Sequence, residues 1–254
     1  MQSEAMHRLL RPDLPRAALR WIFRRWERVT RWPPVGAIQF GSLRRVKPIG
    51  RRFGFDRGNA IDRYYIETFL SRYSDDVRGD VLEIGDNSYT RKFGAGRVSR
   101  SEVLHLTSGN RNATLVGDLA NAQHISSDSF DCIIFTQTLQ FIYDCRAALA
   151  HLHRILKPGG TLLATVPGIS QISRYDMDRW GEFWRFTSLS AQRLFQENFS
   201  AANVTVQTYG NVLAAIAFLE GIAEKELTRE ELDCVDADYE MLISVRAVKN
   251  RSAV

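Results

Sequence analysis

The chain has 254 residues, 44% of them apolar and 25% charged, enough to bury one full core with an appendage. Its three cysteines, Cys132, Cys145 and Cys234, are far apart and odd in number, which argues against a disulfide framework or a zinc site and fits a reducing, cytoplasmic setting. No apolar run approaches the roughly 20 residues of a membrane-spanning helix, and arginines interrupt the start of the chain where a signal peptide would be apolar, so the expectation is a cytoplasmic protein, either free or peripheral at the inner face of a membrane.

The net charge of +5 conceals an asymmetry. Residues 1–58 hold thirteen Arg and one Lys against Glu4, Asp13, Glu27 and Asp56, a balance of +10 that leaves −5 for the remainder. Within this basic arm, "LPRAALRWIFRRWERVTRW" sets Leu14, Ala18, Trp21, Ile22, Trp26 and Val29 at helical spacing, an amphipathic helix over residues 14–32 that ends at Pro33-Pro34. Its Trp and Arg suit a membrane interface, whereas a Trp-bearing stripe more often packs on protein, on its own domain or on a partner. Residues 35–58, rich in Gly and Arg and without a sustained period, read as a linker or a loosely packed lid. The domain boundary is therefore expected between a 1–58 extension and a 59–254 domain.

From Asn59 the pattern becomes regular. "NAIDRYYIETFLSRY" offers Asn59 as an N-cap and a helix face of Ile61, Tyr64 or Tyr65, Thr68 and Phe69. Strands follow at 80–85, 102–106, 113–119 and 130–137, then a helix over 144–156 and a strand over 160–167. A helix, "LSAQRLFQENF", and two strands, "NVTVQTY" and "YEMLISVRAV", complete the chain. Apolar strands alternating with helices predict an α/β fold: a doubly wound, mostly parallel, Rossmann-like seven-stranded sheet with an antiparallel edge.

The ordered series "VLEIG", "VGDL", "SDSFDCIIFTQTLQFIYD" and "LHRILKPGGTLLATVP" resembles the class I S-adenosylmethionine-dependent methyltransferases, in the broad group called type 11. "AIDRYYIETFL" and "GEFWRFTSLSAQRLF" look like members found with bacterial glycosyltransferases. The resemblance implies S-adenosyl-L-methionine as cofactor. On it, Glu83 meets the cofactor's amino group or nearby water, and Ile84, Gly85 and Asp86 form the first loop. Asp118 accepts the adenine amino group, with Leu119 and Ile125 as apolar contacts, and Phe135, Thr136 and Gln137 approach the sulfonium. Arg63, Tyr64, Tyr65, Tyr89 and Arg91 are polar candidates around the cofactor carboxylate, for which Arg is well suited. Gly85 admits the ligand because a Cβ there would fill its space. "KPGG", residues 157–160, is a structural turn.

Three positions depart from the pattern. Asn87 stands where a second glycine is usual, and Asn tolerates positive φ better than other side chains. His105 stands where an acid normally grips both ribose hydroxyls, and a neutral imidazole accepts only one hydrogen bond while donating another. Gln140-Phe141 replaces a Glu-His pair. Of the other histidines, His124 either lines the adenine pocket or lies on the surface, while His151 and His153 read as surface or packing residues.

The segment "GISQISRYDMDRWGEFWRFT" leaves the ligand edge of the sheet and reads as acceptor wall and lid. Tyr175, Asp176, Asp178, Arg179 and Trp184 are the acceptor-side candidates, with Asp176 or Asp178 as general base and Trp180, Phe183, Trp184 and Phe186 as anchors. The expected reaction is O-methylation of a sugar or glycan-linked intermediate. The alternatives are a small-molecule acceptor such as a secondary metabolite and a catalytically silent scaffold. Residues 14–32 would contact a membrane surface or a glycosyltransferase, and the acidic balance of the domain argues against nucleic acid as a partner.

Overall fold

A computed structural model describes Trp21 and residues 33–251. Apart from Trp21, the amphipathic helix expected over residues 14–32 lies outside the described residues. The chain divides into two compact units, residues 1–47 and 48–254. The described part of the first is mostly exposed and includes one short 3-10 turn, Gly41–Leu43.

The second unit is built on seven strands: β1 Gly79–Ile84, β2 Val98–His105, β3 Leu115–Val116, β4 Phe130–Thr136, β5 Leu156–Pro167, β6 Val204–Tyr209 and β7 Leu242–Val248. They lie in the order β3-β2-β1-β4-β5-β7-β6. The first five run parallel, and β7 enters antiparallel between β5 and β6. The doubly wound expectation is met, with the antiparallel strand one place in from the edge.

Side-chain alternation along a strand divides the core between the two faces of the sheet. On β4, Ile133 and Phe135 join Leu82, Leu104, Leu152 and Phe195 on one side, while Cys132 and Ile134 join Val81, Tyr65, Phe69 and Phe218 on the other. Helix α1, Ile61–Arg72, covers the second face with Ile61, Tyr65, Ile66, Phe69 and Leu70. Its N-cap is Ala60, not Asn59, whose side-chain amide instead donates to Glu224 Oε2 at 2.6 Å. Helix α2, Ser88–Gly94, follows β1 directly. Helix α3, Cys145–Ile155, buries Cys145, Ala148, Leu149, Leu152 and Ile155 on the first face, a three-and-four spacing that one helical stripe requires. Asp144 caps it through the Ala147 amide at 3.0 Å. At the amino edge of the sheet, Lys157 bridges Asp80 and Asp131 at 2.9 and 2.7 Å, which gives the "KPGG" segment a structural task away from the ligand edge.

Beyond β5 come α4, Arg174–Met177, in the lid; α5, Ser188–Gln196; and two short helices between β6 and β7 that periodicity did not reveal, α6 Val212–Leu219 and α7 Arg229–Asp233. Asn211 caps α6 through the Ala214 amide, and Thr228 with Glu231 forms a capping box on α7.

Residues 48–58 are neither linker nor loose lid but a strap laid on the residues that follow α6. The Gly50 amide donates to the Glu220 carbonyl at 2.8 Å, the Glu224 amide donates to the Asn59 carbonyl at 2.8 Å, and Arg57 forms a two-pronged pair with Glu226. Gly50 and Gly221 touch so closely that a Cβ on Gly221 would stand 2.2 Å from the Gly50 carbonyl oxygen, and Gly221 also has a φ of +69°. Gly221→Ala is expected to lower stability by about 1–3 kcal/mol through this clash and backbone strain and to speed tryptic cleavage after Arg51, Arg52 and Arg57, as read by urea denaturation and limited proteolysis.

Candidate active site

Two cavities, each of about 540 Å³, open at the carboxyl edge of the parallel strands, the edge where doubly wound sheets bind ligands. The first is lined by Ile84 and Gly85 at the end of β1, His105 at the end of β2, Asp118 and Leu119 after β3, and Phe141, Tyr143, Trp180 and Phe183. The second lies between the strap, the start of α1 and the lid, and is lined by Arg51, Arg52, Phe53, Phe55, Asp62, Arg63, Gln140, Tyr175, Glu182 and Phe218 among others. Gln137, Phe141 and Asp176 line both, so the cavities meet at the exit of β4.

The turn after β1 opens onto the first cavity. Gly85 has a φ of +90°, and a Cβ built there meets nothing within 4 Å, so open space faces its backbone. Asn110 donates its side-chain amide to the Gly85 carbonyl, which holds the turn. Asn87 has a φ of −119°, so it needs no left-handed tolerance and the missing second glycine leaves the turn intact.

Glu83 does not line either cavity. It is buried, and its carboxylate accepts the Tyr89 amide at 3.1 Å, the Thr90 amide at 2.7 Å and the Thr90 hydroxyl at 2.7 Å. A carboxylate facing the first amides of a helix satisfies donors the helix cannot, so Glu83 fastens α2 to β1 instead of meeting a cofactor amino group. Asp86 likewise turns to the Ser88 amide, at 2.7 Å, and Tyr89 is buried with its hydroxyl bonded by Arg63 at 2.8 Å. Thr136 ends β4, its carbonyl taken by the Thr138 hydroxyl. None of these three lines either cavity. Tyr64 and Tyr65 are engaged with Asp233 and with the Leu232 carbonyl.

Asp118 caps the turn that follows it through Oδ1 on the Ala120 amide at 2.9 Å, and Oδ2 has no partner among the described residues. His105 is oriented from behind: its Nδ1 lies 2.9 Å from the carbonyl and 3.1 Å from the amide of Thr107, and Trp180 meets the ring edge-on at 6.0 Å. With Nδ1 engaged, Nε2 is the nitrogen free for a ligand. Ile125 is part of the core and not of the wall, and His124 packs over Gly117, where a Cβ would meet the ring at 2.3 Å. His153 packs on Phe199 at 4.8 Å, and neither it nor His151 lines a cavity.

At the junction, Gln137 adopts a φ of +46°, an uncommon conformation for a side chain larger than glycine. Its carbonyl is held by the Gln140 side-chain amide at 2.9 Å. Asp176 receives the Trp180 indole N–H on Oδ1 at 3.0 Å and the Ser173 hydroxyl on Oδ2 at 2.6 Å, so the carboxylate is fixed with one lone pair of each oxygen to spare. Asp178 is exposed, pairs with Arg174 at 3.2 Å and lines neither cavity. Tyr175 lies under the Arg179 guanidinium at 3.5 Å, and Trp184 anchors the lid to the Ile142 and Tyr143 carbonyls.

Composition and spacing did not reveal the strap arginines, Asp62, Glu182 or Phe218 as wall residues. Asp62 and Phe218 join the site only through packing between the start of α1 and the end of α6. Burial pushes the Asp62 carboxyl upward while the neighbouring Arg63 opposes it. For Arg63, burial works against the charge, yet Asp62 and Tyr89 together hold its pKa above the ordinary value.

A family model described as a methyltransferase domain matches residues 95–164. A curated relative, the ubiquinone/menaquinone biosynthesis C-methyltransferase of Haemophilus ducreyi, is 31% identical over 159 residues, spanning 54% of this chain and 60% of its own, less than two thirds of that protein. A solved S-adenosylmethionine-dependent methyltransferase from Mesorhizobium loti shares the fold at a TM-score of 0.52 and 19% identity, covering 77% of this chain and all of that one. A Haemonchus contortus N-methyltransferase in complex with phosphomonomethylethanolamine and S-adenosylhomocysteine aligns at 0.50 and 15% identity, over 84% of this chain and 55% of its own. The chain thus has the fold of solved S-adenosylmethionine-dependent methyltransferases, and its residues 95–164 match a methyltransferase domain. The resemblance carried by its strand-end motifs is borne out at that level.

Burial is the main reason that the Glu83 carboxyl is raised from 4.5 to about 7, against the pull of its three hydrogen-bond donors. A folded pKa above the unfolded one favours the fold most below pH 4.5, and that advantage is lost as pH rises to about 7. The stability difference between wild type and Glu83→Gln is therefore expected to fall by up to about 3 kcal/mol between those limits and then level off, as read by urea denaturation across pH.

Proposed function

We propose that this chain transfers a methyl group from S-adenosylmethionine to a hydroxyl of a sugar or glycan-linked intermediate. The observation that supports it most is the meeting of two separate cavities at Gln137, Phe141 and Asp176, since a transfer enzyme must bring donor and acceptor to one point. The first cavity fits the cofactor: open space over Gly85, an unpartnered Asp118 oxygen for an exocyclic amino group and Leu119 for the base. His105 offers one hydrogen bond to a ribose hydroxyl where an acid would offer two. Arg63, reaching the second cavity beside the junction, suits the methionyl carboxylate.

S-adenosylmethionine, when bound, supplies an electrophilic methyl on a sulfonium. The chain's part is alignment and proton removal. Phe141 and Trp180 help to keep water from the junction, and Gln137 fixes the backbone there. Asp176, positioned by Ser173 and Trp180, would take the proton of the acceptor hydroxyl whose oxygen receives the methyl group. Asp178, turned to Arg174, has no place in this scheme. Arg51, Arg52, Asp62 and Gln140 in the second cavity support a hydroxylated acceptor over an apolar quinone, the acceptor class suggested by the Haemophilus relative's name. A membrane or glycosyltransferase contact through residues 14–32 belongs to this proposal. No helix among the described residues is long and apolar enough to cross a membrane.

Calorimetric titration with S-adenosylmethionine and S-adenosylhomocysteine is expected to show binding of both, weakened roughly tenfold by Asp118→Ala through loss of one charge-assisted hydrogen bond. Absence of binding to the wild-type protein would sink the enzyme reading in favour of a scaffold. With an acceptor drawn from a screen of nucleotide sugars and glycans, Asp176→Asn is expected to lower kcat by about 10²–10⁴, the usual contribution of a general base, while Asp178→Asn leaves it within a few-fold.

A further inference from the structure

The cavity on the acceptor side carries more positive charge than its own residues answer. Arg174 is paired with Asp178, Arg185 behind the wall with Glu182, and Arg57 farther along the strap with Glu226. Arg63 is answered by the neighbouring Asp62 and donates to the Tyr89 hydroxyl. Arg51 and Arg52, adjacent and exposed at the cavity, have no ion pair and no side-chain hydrogen bond among the described residues.

Their position is built. The backbone below them is tied to Glu220 through Ile49 and Gly50, and the Gln171 side chain donates to the Arg51 carbonyl at 3.3 Å. The chain then turns through Phe53 at a φ of +56°, an outlier for an aromatic residue, and Gly54 at +95°. Phe53 is seated on Phe218 at 5.7 Å. Strain of this kind persists only where the surroundings impose it, and here it holds two cations at the cavity.

A second observation comes from deeper in the same cavity. Gln140 is 4% exposed, and its Oε1 is buried without a hydrogen-bond partner, as is Asp62 Oδ1. Buried acceptors are rarely left unpaired, so two in one cavity call for a ligand that brings donors. The required molecule is thus an oxyanion at one end and a hydroxyl-bearing body at the other.

We propose that the acceptor bears a phosphate or pyrophosphate group, held by Arg51 and Arg52 at the strap, with its hydroxyls donated to Gln140 and Asp62. Two adjacent guanidinium forks match several phosphate oxygens at once, which a single carboxylate does not require. The inference rests on the methyltransferase reading of the adjoining cavity and narrows its acceptor to phosphorylated, hydroxylated compounds.

The test is titration of the full chain with inorganic pyrophosphate at fixed low salt and saturating S-adenosylhomocysteine, with malonate in parallel. Pyrophosphate is expected to bind, malonate more weakly, and Arg51→Ala and Arg52→Ala each to lower pyrophosphate affinity roughly tenfold, the equivalent of one charge-assisted hydrogen bond. Arg44→Ala with Arg45→Ala, in the other unit, is expected to change nothing; an equal loss there would mean a diffuse field and overturn the proposal. Equal affinity for malonate would overturn the phosphate assignment. Should an alanine variant fail to fold, Arg51→Lys with Arg52→Lys keeps the charge and loses the forks, and unchanged affinity in it would also overturn the proposal. Pyrophosphate failing to bind to protein that binds S-adenosylhomocysteine sinks this inference alone, whereas failure of S-adenosylhomocysteine itself sinks the function on which it rests.

Discussion

The ligand edge of this molecule depends on a buried carboxylate. Glu83 sits at the end of β1 and receives the first amides of α2, and this joint makes strand, turn and helix one unit. Between its two ends the chain has only Gly85 and its neighbours with which to reverse, and Gly85 does so with open space before its backbone. A carboxylate kept from water is expensive unless it is bonded, and its three donors come from the helix it holds. Its raised pKa and its structural role thus have one origin.

From that joint outward the structure separates two tasks. The first cavity is made largely from a continuous stretch, the strand ends between Ile84 and Asp144, closed by Trp180 and Phe183 from the lid. The second is assembled from distant parts: the strap before α1, the exit of β4, the lid, the end of α6 and the start of β7. Asp176 serves both because the lid crosses the junction, and Ser173 and Trp180 hold its carboxylate there. Gln137 bears backbone strain at the same crossing.

The sheet was legible in the sequence because strands buried on both faces are continuous apolar runs and each ends in a marked turn. The first cavity was legible for the same reason: Ile84, Gly85, His105, Asp118 and Leu119 are strand-end residues, and strand ends are local features. Glu83 shows the limit of that reading. Its place beside Gly85 suggested ligand contact, but direction along a strand alternates, and the nearest unsatisfied donors belonged to α2. Asp176 and Asp178 were indistinguishable until the lid's own bonds turned one to the junction and the other to Arg174. The strap resisted reading because nothing periodic marks it; its order comes from Gly50 against Gly221 and Arg57 against Glu226, contacts some 170 residues apart in the chain. Helix α6 is wholly apolar, so it has no polar face to reveal a period.

That strap has a consequence for how the protein comes into being. One wall of the second cavity joins residues that precede β1 to residues that follow β6, so it closes only when nearly the whole unit has been synthesised and folded, whereas the strand ends of the first cavity can organise earlier. Sequence change in the strap or around Gly221 therefore alters the wall of the second cavity and leaves the strand ends that line the first in place. The strap and its seat can thus be rewritten as one wall of the second cavity while the strand ends of the first keep their residues.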